Sequence, residues 1–400
     1  MSRILILSNG HGEDLSGSLL ARSLERRGHV VNALPIVGRG KDYIREEIKI
    51  INKTKEFKTG GLGYNTLKGR LDDLFNGQII YLIRNLLLTY SVRKNYDFFI
   101  VVGDIIPISF AWVVKKRFFV YLVAYSSHYE GKLNLPWPCK FFLKSENVIR
   151  IYARDLLTSI DLTGQLKRKV KFLGNPFMDT LSISKEKSKI IFKILLLPGS
   201  RIPELINNFY LMLDLLENIS YIKYFKDIEF NFGLINDLKR DKVLEILRIR
   251  NWQHNKQSSL PNRMKLRYKF INVKFIWNSF AEILNSSDLV ISMSGTAAEQ
   301  AVGLGKPIIQ LEGEGPQFTK TFAEAQRRLL GKYIFCATKF NNKTQQINQT
   351  IKLIIKIIYL IKLDNRFLKS CNQNGKNRIG GIGATNNIVF DIENFKDNYD

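Results

Sequence analysis

The chain has 400 residues, 45% of them hydrophobic, and a formal net charge of +25. That length predicts two domains, each with its own core, and the apolar content excludes a disordered protein. No apolar run reaches the roughly 18 residues that a membrane span needs.

The first strand, Ile4 to Leu7, runs straight into a polar glycine turn, so no signal peptide is expected there. An amphipathic helix from Ser16 to Arg27 stops at Gly28. Further strands are expected at His29 to Leu34, Asp97 to Gly103, Phe118 to Ala124, Val148 to Tyr152 and Val170 to Leu173. Helix-length segments between them imply right-handed crossovers and a parallel sheet. Gly174-Asn-Pro176 then breaks the chain, and the lysine-rich stretch Ser182 to Lys189 reads as a linker.

The pattern restarts at Lys193 to Leu197. A helix over Ile202 to Glu217 and a strand over Ile228 to Phe232 follow. Residues 237–269 are polar and basic and read as a helix plus a surface insertion. Strands return at Phe270 to Phe275, Leu289 to Ser292, Pro307 to Gln310 and Tyr333 to Ala337. Helices are expected at Ser279 to Asn285, Thr296 to Gly303, Phe318 to Leu330 and Gln346 to Leu363. The domains therefore fall at 1–180 and 190–383.

Two readings of the positive charge stand side by side: a composition rich in Lys, Asn and Ile, or an anionic surface that the protein meets. No zinc motif, RNA-recognition signature or recognition-helix pattern points to nucleic acid. The apolar segment Ile79 to Tyr90, flanked by Lys68, Arg70, Arg84, Arg93 and Lys94 and preceded by the loop Thr59 to Gly63, suits either interfacial docking or packing on a sheet. The three cysteines, Cys139, Cys336 and Cys371, form no CxxC pair and read as buried thiols of a reduced, cytoplasmic protein.

The first glycine turn, Asn9-Gly10-His11-Gly12-Glu13-Asp14, fails the dinucleotide test. Leu15 stands where the third glycine belongs, and no acidic residue ends the second strand. Nor is it a phosphate loop. It is a close-approach site carrying polar groups, and it forms the expected acceptor wall through Asn9, Gly10 and Gly12. Gly199, Ser200 and Arg201 follow a buried strand, where Ser200 is placed to cap the next helix and Arg201 to meet a diphosphate. Ser294, Gly295 and Thr296 open a helix whose N-terminus favours an anion, and Glu299 on its first turn suits ribose hydroxyls. Glu312 to Phe318, with Gln317, forms a loop of the type that reaches over a sugar.

These pieces, with Val102-Gly-Asp-Ile-Ile-Pro107 and Leu173-Gly-Asn-Pro-Phe-Met-Asp179, fall in one order along the chain. Together they resemble the lipid-A-disaccharide synthase-related branch of the GT-B glycosyltransferases. The resemblance implies two Rossmann-like parallel-sheet domains facing a cleft, the N-terminal one binding the acceptor and the C-terminal one a UDP-linked nucleotide-sugar. It implies that the tail 384–400 packs back on the first domain. It also implies an inverting transfer without a metal or cofactor, to a lipid or membrane-associated acceptor, at the inner face of the cytoplasmic membrane. No Asp-x-Asp metal site is present. Asp104 matches the family's Gly-x-Asp region and is the first choice of general base. His11, oriented by Glu13, is the second. A UDP-sugar 2-epimerase-like enzyme and a non-catalytic nucleotide-sugar or lipid-binding protein remain as alternatives on the same fold.

Overall fold

The computed structural model describes residues 1–55, 78–181, 191–202, 204–254, 262–313, 320–337 and 341–396. The linker segment 182–189, the loop 59–63 and Gln317 lie outside the described residues. The chain forms two compact units. One comprises 1–179 together with 380–400, the other 180–379.

The first unit opens with β1 (Arg3–Ser8), α1 (His11–Arg26), β2 (Val30–Pro35), α2 (Lys41–Arg45) and β3 (Lys49–Ile50). It continues with α3 (Gln78–Val92), β4 (Phe98–Val102), α4 (Ile105–Val113), β5 (Phe118–Leu122) and α5 (Ser127–Glu130). Next come α6 (Trp137–Leu143), β6 (Val148–Ala153), α7 (Leu156–Leu166) and β7 (Val170–Lys171). All seven strands pair in parallel, in the order β3-β2-β1-β4-β5-β6-β7. Ile4 to Leu7, Phe99 to Val102 and Phe118 to Leu122 are buried throughout, which is why they read as unbroken apolar runs. Order 2-1-4 at the centre places the carboxyl ends of β1 and β4 side by side, where an open α/β sheet collects ligands.

The last helix, α15 (Ala384–Lys396), belongs to this unit and packs on α1. Ile388, Val389 and Ile392 share a core with Leu20, Ala21 and Leu24. Its polar side is tied down as well. Asp391 receives Arg150 Nη1 at 2.6 Å, Tyr152 Oη at 2.9 Å, and Lys171 Nζ. Burial alone pushes that carboxyl up, but these donors hold it below the usual carboxylate range. Glu393 meets Arg27 at 2.7 Å and His29 at 3.1 Å.

The second unit runs β8 (Phe192–Leu197), α8 (Glu204–Ile219), β9 (Ile228–Leu234), α9 (Arg240–Ile249), β10 (Gln253–His254), β11 (Arg263–Tyr268) and β12 (Ile271–Trp277). It goes on with α10 (Phe280–Ser286), β13 (Leu289–Ser292), α11 (Gly295–Gly303), β14 (Ile308–Gln310), α12 (Lys320–Leu330) and β15 (Ile334–Cys336). Two helices, α13 (Lys343–Leu363) and α14 (Asn365–Arg378), complete it. The sheet order is β10-β11-β12-β9-β8-β13-β14-β15.

This sheet is mixed: at one edge β11 runs antiparallel to both of its neighbours, β10 and β12. Residues 263–268, taken with the polar stretch as a surface insertion, pair with β12 across a two-residue turn at Lys269 and Phe270. Met264 and Leu266 are buried and their neighbours are not, the alternation of a half-covered antiparallel strand.

Candidate functional site

In the second unit the two motifs converge. β8 and β13 are adjacent and parallel, so the loops leaving their carboxyl ends lie together. A cavity of about 250 Å³ is lined there by Gly199, Ser200, Arg201, Ser294, Gly295, Thr296 and Glu299, together with Asn208 and Gln326. Every donor-site residue expected from the sequence that the structure describes is in it; Gln317 lies outside the described residues. Gly199 has a φ of +106°, and a Cβ there would lie 3.2 Å from the Met293 carbonyl oxygen, so the close approach of the two loops requires glycine.

Ser294 is the N-cap of α11, and its side chain makes no capping bond. The first N–H groups of that helix are left without a side-chain cap, at residues that line the cavity. Arg201 and Thr296 are exposed. Contrary to the expectation from the sequence, Ser200 does not cap α8: the helix begins at Glu204, and Ser200 lines the cavity instead. A second, apolar cavity of about 230 Å³ adjoins the first through Gly199, Ser200, Ser294 and Thr296. Leu234, Ile235, Ile276, Phe280 and Ile283 are among its walls. Sequence reading missed it, because these residues come from strand ends and a short helix far apart in the chain.

In the first unit, Asn9 and Gly10 follow β1 directly, and α1 begins at His11. Gly12 and Glu13 are thus in the first helical turn rather than in the loop, and a Cβ on Gly12 would meet nothing within 4 Å. Of the His11 side chain nothing is described. Glu13 is aimed back over the strand ends: a Cβ on Gly103 would lie 3.0 Å from its carboxyl group, and one on Gly10 3.4 Å. Its Oε2 is buried with no hydrogen-bond partner. Burial, then the charges of Asp104 and Asp14, push this carboxyl well above its usual range, against the pull of the Asn9 backbone N–H.

Asp104 has a different setting. It is the N-cap of α4 and accepts from the Ile106 N–H at 2.9 Å. Asn9 Nδ2 lies 3.1 and 3.2 Å from its two carboxylate oxygens. The strand-end carboxylate chosen as base is therefore heavily engaged in holding α4 and Asn9.

Behind these groups lies a buried chain that the sequence did not announce. Tyr43 Oη donates to Ser8 Oγ at 2.9 Å, and Ser8 Oγ donates to Asp14 Oδ1 at 2.6 Å. Burial raises Asp14 to about 7, partly offset by the Ser8 hydroxyl and helped by Asp42. Folded Asp14 therefore keeps a proton between about pH 4 and 7 that the unfolded chain has lost, and stability falls as pH rises through that window. Asp14→Asn should flatten this fall, by on the order of 2 kcal/mol between pH 5 and pH 8. Urea midpoints of both proteins at the two pH values check it; parallel pH dependence would refute the buried ionisation.

Further along the same sheet edge, beyond β5 and β6, Ser126 Oγ donates to the buried Asp155 at 2.7 Å, and His128 Nε2 lies 3.8 Å from that carboxylate. Asp155 also caps α7 through the Thr158 N–H. Sequence reading missed this group because Ser126 and Asp155 are brought together only by the pairing of neighbouring strands. Among the described residues, no group of three or more His, Cys, Asp or Glu side chains has metal-binding geometry, and no helix is long and apolar enough to cross a membrane.

No protein-family model matches the chain, and no curated protein matches it by sequence. Solved structures do resemble it. MurG from Acinetobacter baumannii is 11% identical with a TM-score of 0.58, covering 98% of this chain and 100% of that one. The calicheamicin glycosyltransferase CalG4 is 13% identical with a TM-score of 0.57, covering 100% and 99%. UDP-GlcNAc 2-epimerase from Neisseria meningitidis, bound to UDP-GlcNAc, is 16% identical with a TM-score of 0.55, covering 98% and 100%. The chain has the two-domain α/β fold of these enzymes, the GT-B fold.

Proposed function

We propose that the protein is a glycosyltransferase that moves a sugar from a UDP-sugar to a hydroxyl of a lipid or membrane-associated acceptor. The observation that carries this reading is the paired cavity of the second unit, with anion-binding groups in one half and apolar walls in the other. A nucleoside diphosphate has this division of chemistry. Arg201 and the start of α11 take the diphosphate, Glu299 the ribose hydroxyls, and the apolar half, with Phe280 and Ile276, the flat base. As the bond between the anomeric carbon and the diphosphate breaks, the same donors stabilise the charge left on the leaving group.

The acceptor hydroxyl loses its proton as its oxygen bonds to the anomeric carbon. Of Asp104, His11 and Glu13, we assign the proton to Glu13. A carboxylate of raised pKa is the stronger base, whereas Asp104 serves to position Asn9 and α4. The 2-epimerase reading is supported by the same group of carboxylates and by the Neisseria meningitidis enzyme among the structural neighbours. Incubation with UDP-N-acetylglucosamine in D2O, followed by NMR, separates the two. Deuterium at C2 without acceptor supports epimerisation, and UDP release that depends on an added hydroxylated lipid supports transfer.

The lipid half of the proposal rests on α3, whose polarity is inverted. Gln78, Asn85 and Thr89 are buried, while Ile79, Ile80, Ile83, Leu87 and Tyr90 are exposed, Ile80 at 75%. α4 contacts both α3 and α6, and on α6 Trp137 is 83% exposed and Phe141 is exposed too. Arg84, Lys94 and Lys144 are solvent-accessible on the same helices and beside them. Such a face suits an anionic bilayer surface. The protein should float with vesicles containing phosphatidylglycerol at low salt and be released at about 0.5 M salt, and Ile80→Glu with Leu87→Glu should abolish flotation. Failure to float at low salt would refute membrane docking.

A further inference from the structure

A third cavity in the second unit, of about 480 Å³, lies beside the anion pocket. Its walls come from α8, from the loop after β14 and from the start of α13. Asn207, Asn208, Tyr210, Glu312, Asn342 and Gln346 are among them. Asn208 lines both this cavity and the anion pocket. It is 1% exposed; its Nδ2 donates to the Pro198 carbonyl at 2.8 Å, and its Oδ1 has no partner. A buried amide oxygen without a donor costs free energy unless a ligand or water supplies one.

The chemistry of this cavity differs from that of its neighbour. Carboxamides both donate and accept, as a ring of hydroxyls demands, and the Glu312 carboxylate accepts from hydroxyls. Tyr210 offers a partly exposed ring. Among the described lining residues the single cation is Lys343, and its Nζ is 2.5 Å from Asp214 Oδ2. Gln346 Nε2 donates to the Glu312 carbonyl at 2.6 Å, fixing the start of the loop against α13.

We propose that this amide-lined cleft holds the sugar of the nucleotide-sugar and that it selects a neutral hexose over an anionic one. This rests on the nucleotide-sugar reading and gives it an order in space: base in the apolar cavity, diphosphate at Arg201, sugar beyond Asn208. A uronate carboxylate entering the cleft would face Glu312, with the one cation of the described walls engaged elsewhere, and would lose its water without compensation.

Calorimetry with UDP, UDP-glucose and UDP-glucuronate tests the proposal. UDP-glucose should bind at least about tenfold more tightly than UDP-glucuronate. Asn207→Trp, at an exposed position of α8, should fill the cleft and weaken UDP-glucose about tenfold while leaving UDP within about twofold. Tyr210→Ala should weaken UDP-glucose and spare UDP in the same way, and thermal melts of both variants establish that they fold. Equal or tighter binding of UDP-glucuronate overturns the neutral class. Equal effects of Asn207→Trp on UDP and UDP-glucose overturn the cleft as the sugar site. If UDP itself does not bind the parent protein, the nucleotide-sugar reading falls, and this inference with it.

Discussion

Replacing Arg201 with alanine should weaken UDP binding about 10- to 100-fold, because a hydrogen bond to a charged group contributes about 1.5–3 kcal/mol and each 1.4 kcal/mol is tenfold. The guanidinium stands in a loop whose path is fixed. β8 is buried up to Leu197, Gly199 turns against the Met293 carbonyl, and Asn208 holds Pro198 from behind. Arg201 therefore needs little reorganisation to present its planar fork to a diphosphate. Arg201→Lys keeps the charge but loses the fork, and its affinity should fall between the two. The residue is exposed and its loop is held by other groups, so neither variant should move the melting temperature appreciably. The control is Arg366→Ala, a basic residue outside the cavity that should leave UDP affinity unchanged. Unaltered affinity in Arg201→Ala, measured by calorimetry, would show that the diphosphate lies elsewhere.

The same loop shows why so much of the second unit could be read in advance. A buried parallel strand is an unbroken apolar run, and its end is marked by Gly-Ser-Arg or Ser-Gly-Thr, where the chain must turn and expose N–H groups. Both marks fall at carboxyl ends of adjacent strands, so convergence followed once β8 and β13 paired. β11 lacked such marks. Its alternation is plain in Met264 and Leu266, but the turn at Lys269 and Phe270 has none of the Asn or Gly that flags a hairpin, although Lys269 has a φ of +49°. In the first unit the glycines misled: Gly12 belongs to the helix. Gly17 is there because the Tyr43 hydroxyl would lie 2.0 Å from a Cβ at that position. No pattern in one dimension discloses that contact, nor the Ser126–Asp155 bond, nor the engagement of Asp104 by Asn9. They depend on which strands become neighbours.

Gly380→Ala should destabilise the first unit by about 2–5 kcal/mol, the sum of a left-handed backbone and an overpacked contact. Its φ is +86°, and the added methyl would lie 2.4 Å from the Cα of Gly174. That atom is backbone and cannot swing aside as a side-chain tip would. Gly174 has no slack either: its φ is +96°, and the Ala384 methyl lies 2.9 Å from where its own Cβ would be. Two neighbours separate the causes. Gly383 has a φ of +102° with open space around it, so Gly383→Ala carries the backbone cost alone, about 1–2 kcal/mol. Gly381 has neither a positive φ nor any atom within 4 Å of a Cβ, so Gly381→Ala should be neutral or stabilising by up to about 1 kcal/mol. Urea unfolding should therefore rank the three variants in that order, with Gly380→Ala far below the others. Similar midpoints for Gly380→Ala and Gly381→Ala would mean that the two chain segments do not cross at Gly174. The consequence reaches the acceptor side, because this crossing and the Asp179 carboxylate, which accepts from the Gly383 and Thr385 N–H groups, anchor the start of α15. α15 packs its Ile388, Val389 and Ile392 against α1, the helix whose first turn carries Glu13. If Glu13 takes the acceptor proton, Gly380→Ala should slow transfer at temperatures well below its melting point while leaving UDP affinity, a property of the other unit, unchanged.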